Sequence, residues 1–210
     1  MGHQTVLKNN LLKLPALTLI TDSQRLPTNR FFDVVDAALS GGVDAVLVRE
    51  KQMDSARLLA FASTLRELTH SHGAKLIVHT QADIAKAIKA DGVHLSASEI
   101  NQVPAIREWL GTKEMTLSTS CHNAIELDFA SKFGADFSFL SPVFITQSHP
   151  DQLALGVADF KKAATTSLPV IALGGIDEEN RNQLEGFSVA VISAILNSDD
   201  PKTTAAALSL

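Results

Sequence analysis

A parallel α/β barrel is the fold class this sequence predicts, and three observations carry that expectation. Short runs of β-branched and apolar residues alternate with longer stretches of helical period along the chain. The short runs are apolar at both alternating positions, as strands covered on both faces are. The first of them exits into TDSQRLPTNR, which contains no glycine, whereas an open doubly wound sheet carries a Gly-rich first turn. Eight such strands in 210 residues suit a single-domain (β/α)8 TIM barrel, a fold that reaches down to about 200 residues.

The elements follow in order. Residues 1–14 read as an N-terminal extension, and 15–210 as the barrel. Strand one is ALTLIT (16–21), followed by a helix over Asp33 to Leu39 that presents Val34, Val35, Ala38 and Leu39 on one face. Strand two is AVLVRE (45–50), and Asp54-Ser55 caps a helix with Leu58, Leu59, Phe61, Ala62 and Leu65 at helical spacing. Strand three, KLIVHT (75–80), leads into the amphipathic QADIAKAIKA (81–90), and strand four is GVHLS (92–96). Strand five, TLSTS (116–120), precedes the helical NAIELDFASKF (123–133), and strand six is FSFLS (137–141). After strand seven, PVIALGG (169–175), Asp177 is expected to cap a helix in EENRNQL. Strand eight is VAVISAI (189–195), and Asp199-Asp200-Pro201 opens a short last helix.

Composition narrows the function. The net charge of −5 without a basic block gives no footing for nucleic acid. No apolar run reaches the roughly 18 residues of a membrane span, and the start lacks the apolar core of a secretion signal. The lone Cys121 excludes an internal disulfide and fits a reducing compartment, so the cytoplasm is expected.

In such a barrel the chemistry sits at the C-terminal ends of the strands. The polar residues fall there one strand at a time: Thr21-Asp22, Arg49-Glu50-Lys51, His79-Thr80, then His94 and Ser96. Ser118, Ser120 and His122 follow strand five, and Ser141 to His149 follow strand six. Gly174-Gly175 and Ser193 end the last two strands, where barrels often bind phosphate, since glycine lets the backbone approach an anion. Arg49 and Lys51 read either as an anion clamp or as a solvated strand end with one ion pair to Glu50. His3, His70 and His72 read as terminal or surface residues, His94 as packed and hydrogen-bonded, and Cys121 as inert core. His122 lies where a helix begins and is the candidate proton shuttle.

Taken together, LTLITD, AVLVREK, ADGVHLSASEI, STSCHN, GADFSFLSPVF-ITQSH and VIALGGI followed by VAVISAI resemble the thiamin phosphate synthase/TenI family, in order, from about Leu17 to Ala205. The resemblance implies a (β/α)8 barrel that joins hydroxymethylpyrimidine diphosphate to thiazole phosphate with Mg²⁺ assistance. It implies that Arg49 and Lys51 hold diphosphate, that Gly175, Ile192 and Ser193 bind the thiazole phosphate, and that Ser120, Thr146 and Ser148 line the reacting groups. Where synthases carry Asn-Asp after strand three, this chain has His79-Thr80. Their Gly-Gln-Glu-Asp is Ser96-Ala97-Ser98-Glu99 here, so Glu99 alone remains as a weak metal carboxylate, and His149 replaces a lysine. The chain also resembles the synthase-like domain fused behind some Nudix hydrolases.

Synthase chemistry with a degraded Mg²⁺ site is therefore the leading expectation. A TenI-like thiazole tautomerase using His122 as acid/base is the second, and a non-catalytic barrel binding a phosphate ligand the third. A small phosphate-bearing molecule is the expected partner, and a homo-oligomer is left open.

Overall fold

Alternation along each strand sorts the apolar residues into two layers, and the sheet closes between them. The computed structural model describes residues 13–146, 153–165 and 168–209, so Ser148 and His149 lie outside the described residues. Eight parallel strands pair in sequence order: β1 (Leu17–Ile20), β2 (Ala45–Val48), β3 (Lys75–His79), β4 (Gly92–Leu95), β5 (Thr116–Cys121), β6 (Phe137–Leu140), β7 (Val170–Leu173) and β8 (Val189–Val191). β8 pairs back onto β1, with Leu19 opposite Val191, and the barrel is closed. Outward residues such as Leu17, Leu19, Val46 and Leu76 join Phe31, Val35, Phe61 and Leu65 from the helices in the main core. Inward residues Ile20, Leu47, Ile77, Phe139 and Ile171 fill the barrel itself. Fully burying a side chain of this size contributes about 1.5–3 kcal/mol, so both layers stabilise the closure.

The helices are α1 (Thr28–Ser40), α2 (Ser55–Ser71), α3 (Ala82–Ala87), α4 (Val103–Leu110), α5 (Ala124–Lys132), α6 (Gly156–Ala163), α7 (Ser193–Leu196) and α8 (Pro201–Leu208). Asp54 and Asn123 cap α2 and α5 through their side chains, accepting from Arg57 N–H and Glu126 N–H. The short α8 still covers its flank, because α1 packs against it closely. A Cβ at Gly41 would lie 2.2 Å from the Lys202 carbonyl oxygen, so only glycine permits that approach.

Four expectations need correction. Strand eight ends at Val191, and Ser193 to Ile195, expected within it, belong to the short helix α7. α1 begins at Thr28, after Pro27, and not at Asp33. β2 ends at Val48, because a turn from Glu50 to Met53 stops the extended run. The helix expected after Asp177 is only a 3₁₀ turn at Arg181–Leu184. There the Asp177 carboxylate takes the N–H groups of Glu179 and Asn180, and the Asn180 side chain bonds Asp177 N–H and Gly175 O. These local bonds offer the backbone an alternative to an α-helix.

The N-terminal face of the barrel carries a repeat that the strand pattern does not reveal. An aspartate stands immediately before β2, β4 and β6, and each reaches back to the start of the preceding strand. Asp44 accepts from Ala16 and Leu17 N–H, Asp91 from Leu76 N–H, and Asp136 from Leu117 N–H. Arg66 from α2 pairs with Asp91 at 2.7 Å, and Arg107 from α4 pairs with Asp136. Among the described residues, no helix is long and apolar enough to cross a membrane.

Candidate active site at the barrel mouth

The inward side chains stop being apolar at the C-terminal end of the strands, and a cavity of about 490 Å³ opens there. That volume is in the range of small-molecule sites. Its floor is Ile20, Leu47 and Phe139, and one wall holds His94, Ser120 and His122. Arg25, Arg49 and Thr146 complete the polar side. A neighbouring recess of about 330 Å³ shares Arg25 and Thr146 and is closed by Gly175, Asp177 and Ser193. Gly174 and Ile192 line the main cavity, so the loops after β7 and β8 border both spaces.

The two readings of the Arg49 segment now separate. Glu50 is held by Ser23, accepting from its N–H at 3.0 Å and its hydroxyl at 2.7 Å. It therefore forms no ion pair with Arg49. Arg49 is half-buried on the cavity wall, and among the described residues no carboxylate lies within ion-pair distance of it. Lys51 does not share this wall. With β2 ended at Val48, Lys51 stands exposed in the turn, and its charge reaches His79 more weakly than that of Arg49.

His79 is half-buried, and its Nδ1 faces the His94 carbonyl oxygen at 3.2 Å. Burial first, and then the Arg49 charge, push its pKa down from 6.5 to about 4, with Glu99 opposing. Thr80 beside it has φ +58, a left-handed conformation that strains a β-branched residue. Glu99 forms a capping box with Ser96, accepting from its N–H at 3.0 Å and from its hydroxyl. One oxygen of the expected metal carboxylate is thus engaged. Among the described residues no group of three His, Cys, Asp or Glu side chains converges to hold a metal ion. The residues present do not fit a Mg²⁺ site built by the protein alone.

His94 is buried, as expected, but it also borders the cavity. Its Nδ1 is 2.9 Å from Ser118 Oγ and its Nε2 is 2.8 Å from Ser120 Oγ. Burial, followed by the charges on His79 and Arg49, holds its pKa well below the ordinary value. His122 Nδ1 lies 2.9 Å from Glu126 Oε2, and the same oxygen accepts His122 N–H at 2.8 Å. Cys121 is buried and its thiol pKa is pushed up, chiefly by burial, which agrees with an inert role.

The glycines after β7 serve the fold in a way the sequence reading did not foresee. Gly174 and Gly175 have φ +102 and +66. A Cβ on Gly174 would lie 2.7 Å from Pro142 Cα, and one on Gly175 would lie 2.4 Å from Ile145 O. The close approach they permit here is that of the loop after β6. Ser193 opens α7 and faces the recess.

Two residues at the mouth escaped sequence reasoning. Arg25 sits in a 3₁₀ turn after β1, tied to Asp22 at 2.7 Å, and only the folded turn brings it over the mouth. Glu126 follows His122 by four positions on the start of α5, and that spacing was a usable signal.

Over residues 17–195 the chain matches a family model described as thiamine monophosphate synthase. It is 35% identical over 199 residues to the thiamine-phosphate synthase of Chloroflexus aurantiacus, covering 92% of this chain and 90% of that protein. The thiamine-phosphate synthase of Nostoc sp. is 34% identical over 205 residues; the match covers 96% of this chain but 56% of the relative's length. Among solved structures, thiamine phosphate pyrophosphorylase from Pyrococcus furiosus superposes with a TM-score of 0.82 at 29% identity, covering 92% of this chain and 93% of that one.

Proposed function

The chain belongs to the thiamine monophosphate synthase family, and on that premise we propose that its barrel mouth joins hydroxymethylpyrimidine, delivered as its diphosphate, to a thiazole phosphate. The observation that carries this reading is Arg49, a half-buried cation on the cavity wall without a carboxylate partner among the described residues. A guanidinium so placed calls for an anion, and a diphosphate supplies one with bidentate geometry. In this reading the bond between the pyrimidine methylene carbon and the diphosphate oxygen breaks, and both electrons leave with the diphosphate. The thiazole nitrogen lone pair then captures the methylene cation, which forms the C–N bond and leaves the positive charge on the thiazolium.

Catalysis here consists of stabilising the departing charge and holding two rings in contact. Arg49 faces the diphosphate; Arg25 at the mouth is already paired with Asp22, and Lys51 stands exposed beyond the cavity wall. Ile20, Leu47 and Phe139 offer the rings an apolar floor that excludes water and strengthens the Arg49 interaction. The thiazole phosphate takes the recess bordered by Gly175 and Ser193, with Thr146 at the junction of the two spaces. Ser148 and His149 belong to this site by resemblance alone. Any Mg²⁺ the reaction uses would draw little from the protein, since Glu99, the carboxylate the resemblance assigns to it, is already engaged by Ser96. The lone buried Cys121 supports a cytoplasmic setting.

One observation supports a second reading. The Glu126 carboxylate accepts the Nδ1 proton of His122 and leaves a lone pair on Nε2, the state a general base needs. A TenI-like thiazole tautomerase would use this base without diphosphate or metal.

An end-point assay separates the two. The protein is given the pyrimidine diphosphate, thiazole phosphate and excess Mg²⁺, and thiamin phosphate is read as thiochrome fluorescence. Turnover is the expected result. No turnover, with thiazole phosphate still bound by calorimetry, would move the reading to proton transfer by His122 or to a non-catalytic binder.

A further inference from the structure

We propose that His94 is a positioning residue that fixes the Ser120 hydroxyl as a hydrogen-bond donor into the cavity, so that the ligand edge seated there must be an acceptor. The inference rests on the reading of the mouth as a two-ring synthase site, and it adds which atoms of a ring can face this wall.

Ser118 sets the direction of the hydrogen bonds on this wall. This residue is fully buried and lies outside the cavity, and among the described residues its Oγ has a single partner, His94 Nδ1 at 2.9 Å. A hydroxyl has one proton to place, and leaving a buried O–H without an acceptor is costly. Nδ1 is the acceptor within reach, so Ser118 donates to it. A neutral imidazole that accepts at Nδ1 carries its proton on Nε2. Nε2–H then donates to Ser120 Oγ at 2.8 Å. Ser120, already accepting from His94, has no other partner among the described residues and lines the cavity. Its own proton is left to point at whatever the cavity holds.

The direction of this chain depends on the imidazole staying neutral, because an imidazolium would donate to both serines. Burial and the nearby His79 and Arg49 hold His94 in the neutral form. Phe139 meets the ring edge-on at a centroid distance of 4.9 Å and limits its rotation. The ligand class follows. A ring nitrogen with a free lone pair, a carbonyl or a phosphate oxygen satisfies Ser120, whereas an N–H or amino edge would set donor against donor. Of the groups a pyrimidine carries, an unprotonated ring nitrogen fits this wall and the exocyclic amine does not.

The test uses the 210-residue chain with ¹⁵N-labelled histidine. Long-range proton–nitrogen NMR at neutral pH is expected to show His94 with a pyridine-like Nδ1 and a pyrrole-like Nε2. In Ser118→Ala that preference is expected to relax toward a mixture of tautomers. The reverse pattern in the wild type, with the proton on Nδ1, overturns the proposal whatever the enzyme's activity. A double-mutant cycle supplies the functional arm. Ser118→Ala should lower kcat/KM about tenfold, the size of one hydrogen bond, although it touches no substrate. In a Ser120→Ala background the same change should cost nothing further, and additive losses would overturn the coupling. If no turnover is found, the cycle is run on thiazole phosphate and pyrimidine diphosphate affinities by calorimetry. Failure to bind either sinks the functional reading, while the NMR result still decides the tautomer.

Discussion

The two ends of this barrel use the same kinds of side chain to opposite effect. At the N-terminal face, Asp44, Asp91 and Asp136 each take the N–H of a neighbouring strand start, and arginines from α2 and α4 complete two of the three clusters. At the C-terminal face, Arg49 has no carboxylate partner among the described residues, Thr80 holds a strained φ, and Ser120 keeps an uncommitted proton. Charges satisfied by the protein hold strands together. Charges and hydroxyls left unsatisfied are available to a ligand, and the fold tolerates them because the other end is well tied. Substitutions at the two faces should therefore separate activity from stability.

The largest expected effect is at Arg49. Arg49→Ala should lower kcat/KM for the pyrimidine diphosphate about 100- to 1000-fold, the usual loss when a donor to developing transition-state charge is removed. Its melting temperature should stay level or rise, since no protein partner is orphaned. A melting temperature that collapses with activity would make Arg49 a structural residue and erase the contrast between the faces. Asp91→Ala is the mirror experiment. It leaves Leu76 N–H and the Arg66 guanidinium without their acceptor, for a loss of about 2–3 kcal/mol. For a chain of this size that is roughly 5–10 °C in Tm. Turnover per folded molecule at 25 °C should be unchanged, as measured by melts and steady-state rates on one preparation.

Acid should find the mouth before it finds the other end. The folded pKa of His79 lies near 4 against an ordinary 6.5, so between those values the unfolded chain binds the extra proton. Stability is then full above pH 6.5 and falls as pH drops toward 4, by about 2–3 kcal/mol from this group if its whole shift is realised. Comparing urea midpoints at pH 7 and pH 4.5 for the wild type and His79→Gln checks this. The variant should lose distinctly less stability on acidification, and equal losses would place the acid sensitivity elsewhere.

The legibility of the sequence follows the same division. All eight strands could be read because two-sided burial writes continuous apolar runs, and the polar residue ending each run marked the mouth. α4 and α6 are absent from the sequence reading, although VPAIREWL in the first sets Val103, Ile106 and Leu110 at helical spacing and was a usable signal. Arg25 could not be placed, because its position depends on a turn folding back over the barrel. Lys51 does not line the cavity beside Arg49, since a turn replaces the extended run after Val48, although both charges act on His79. The aspartate repeat was present in plain letters, as VDA, ADG and ADF before even-numbered strands. It was invisible as a motif until the register showed which N–H groups those carboxylates meet.

The smallest expected effect tests the mouth at its most strained point. By the resemblance, Thr80 takes the place of a metal-binding aspartate, and it holds φ +58. A left-handed conformation costs an ordinary L-residue about 1–2 kcal/mol, while Asn and Asp tolerate it better through local hydrogen bonds. Thr80→Asn should therefore raise stability by up to about 1 kcal/mol, or roughly 2–4 °C in Tm. Thr80→Asp should bring the same relief and add a second carboxylate beside Glu99, so Mg²⁺ titrated without substrate should bind more tightly than to the wild type. A lower Tm in Thr80→Asn would mean that the threonine is held by contacts worth more than its strain. A gain in stability in Thr80→Asp without any gain in Mg²⁺ affinity would separate the two roles, leaving position 80 a backbone device and Glu99 too firmly capped by Ser96 to serve a metal.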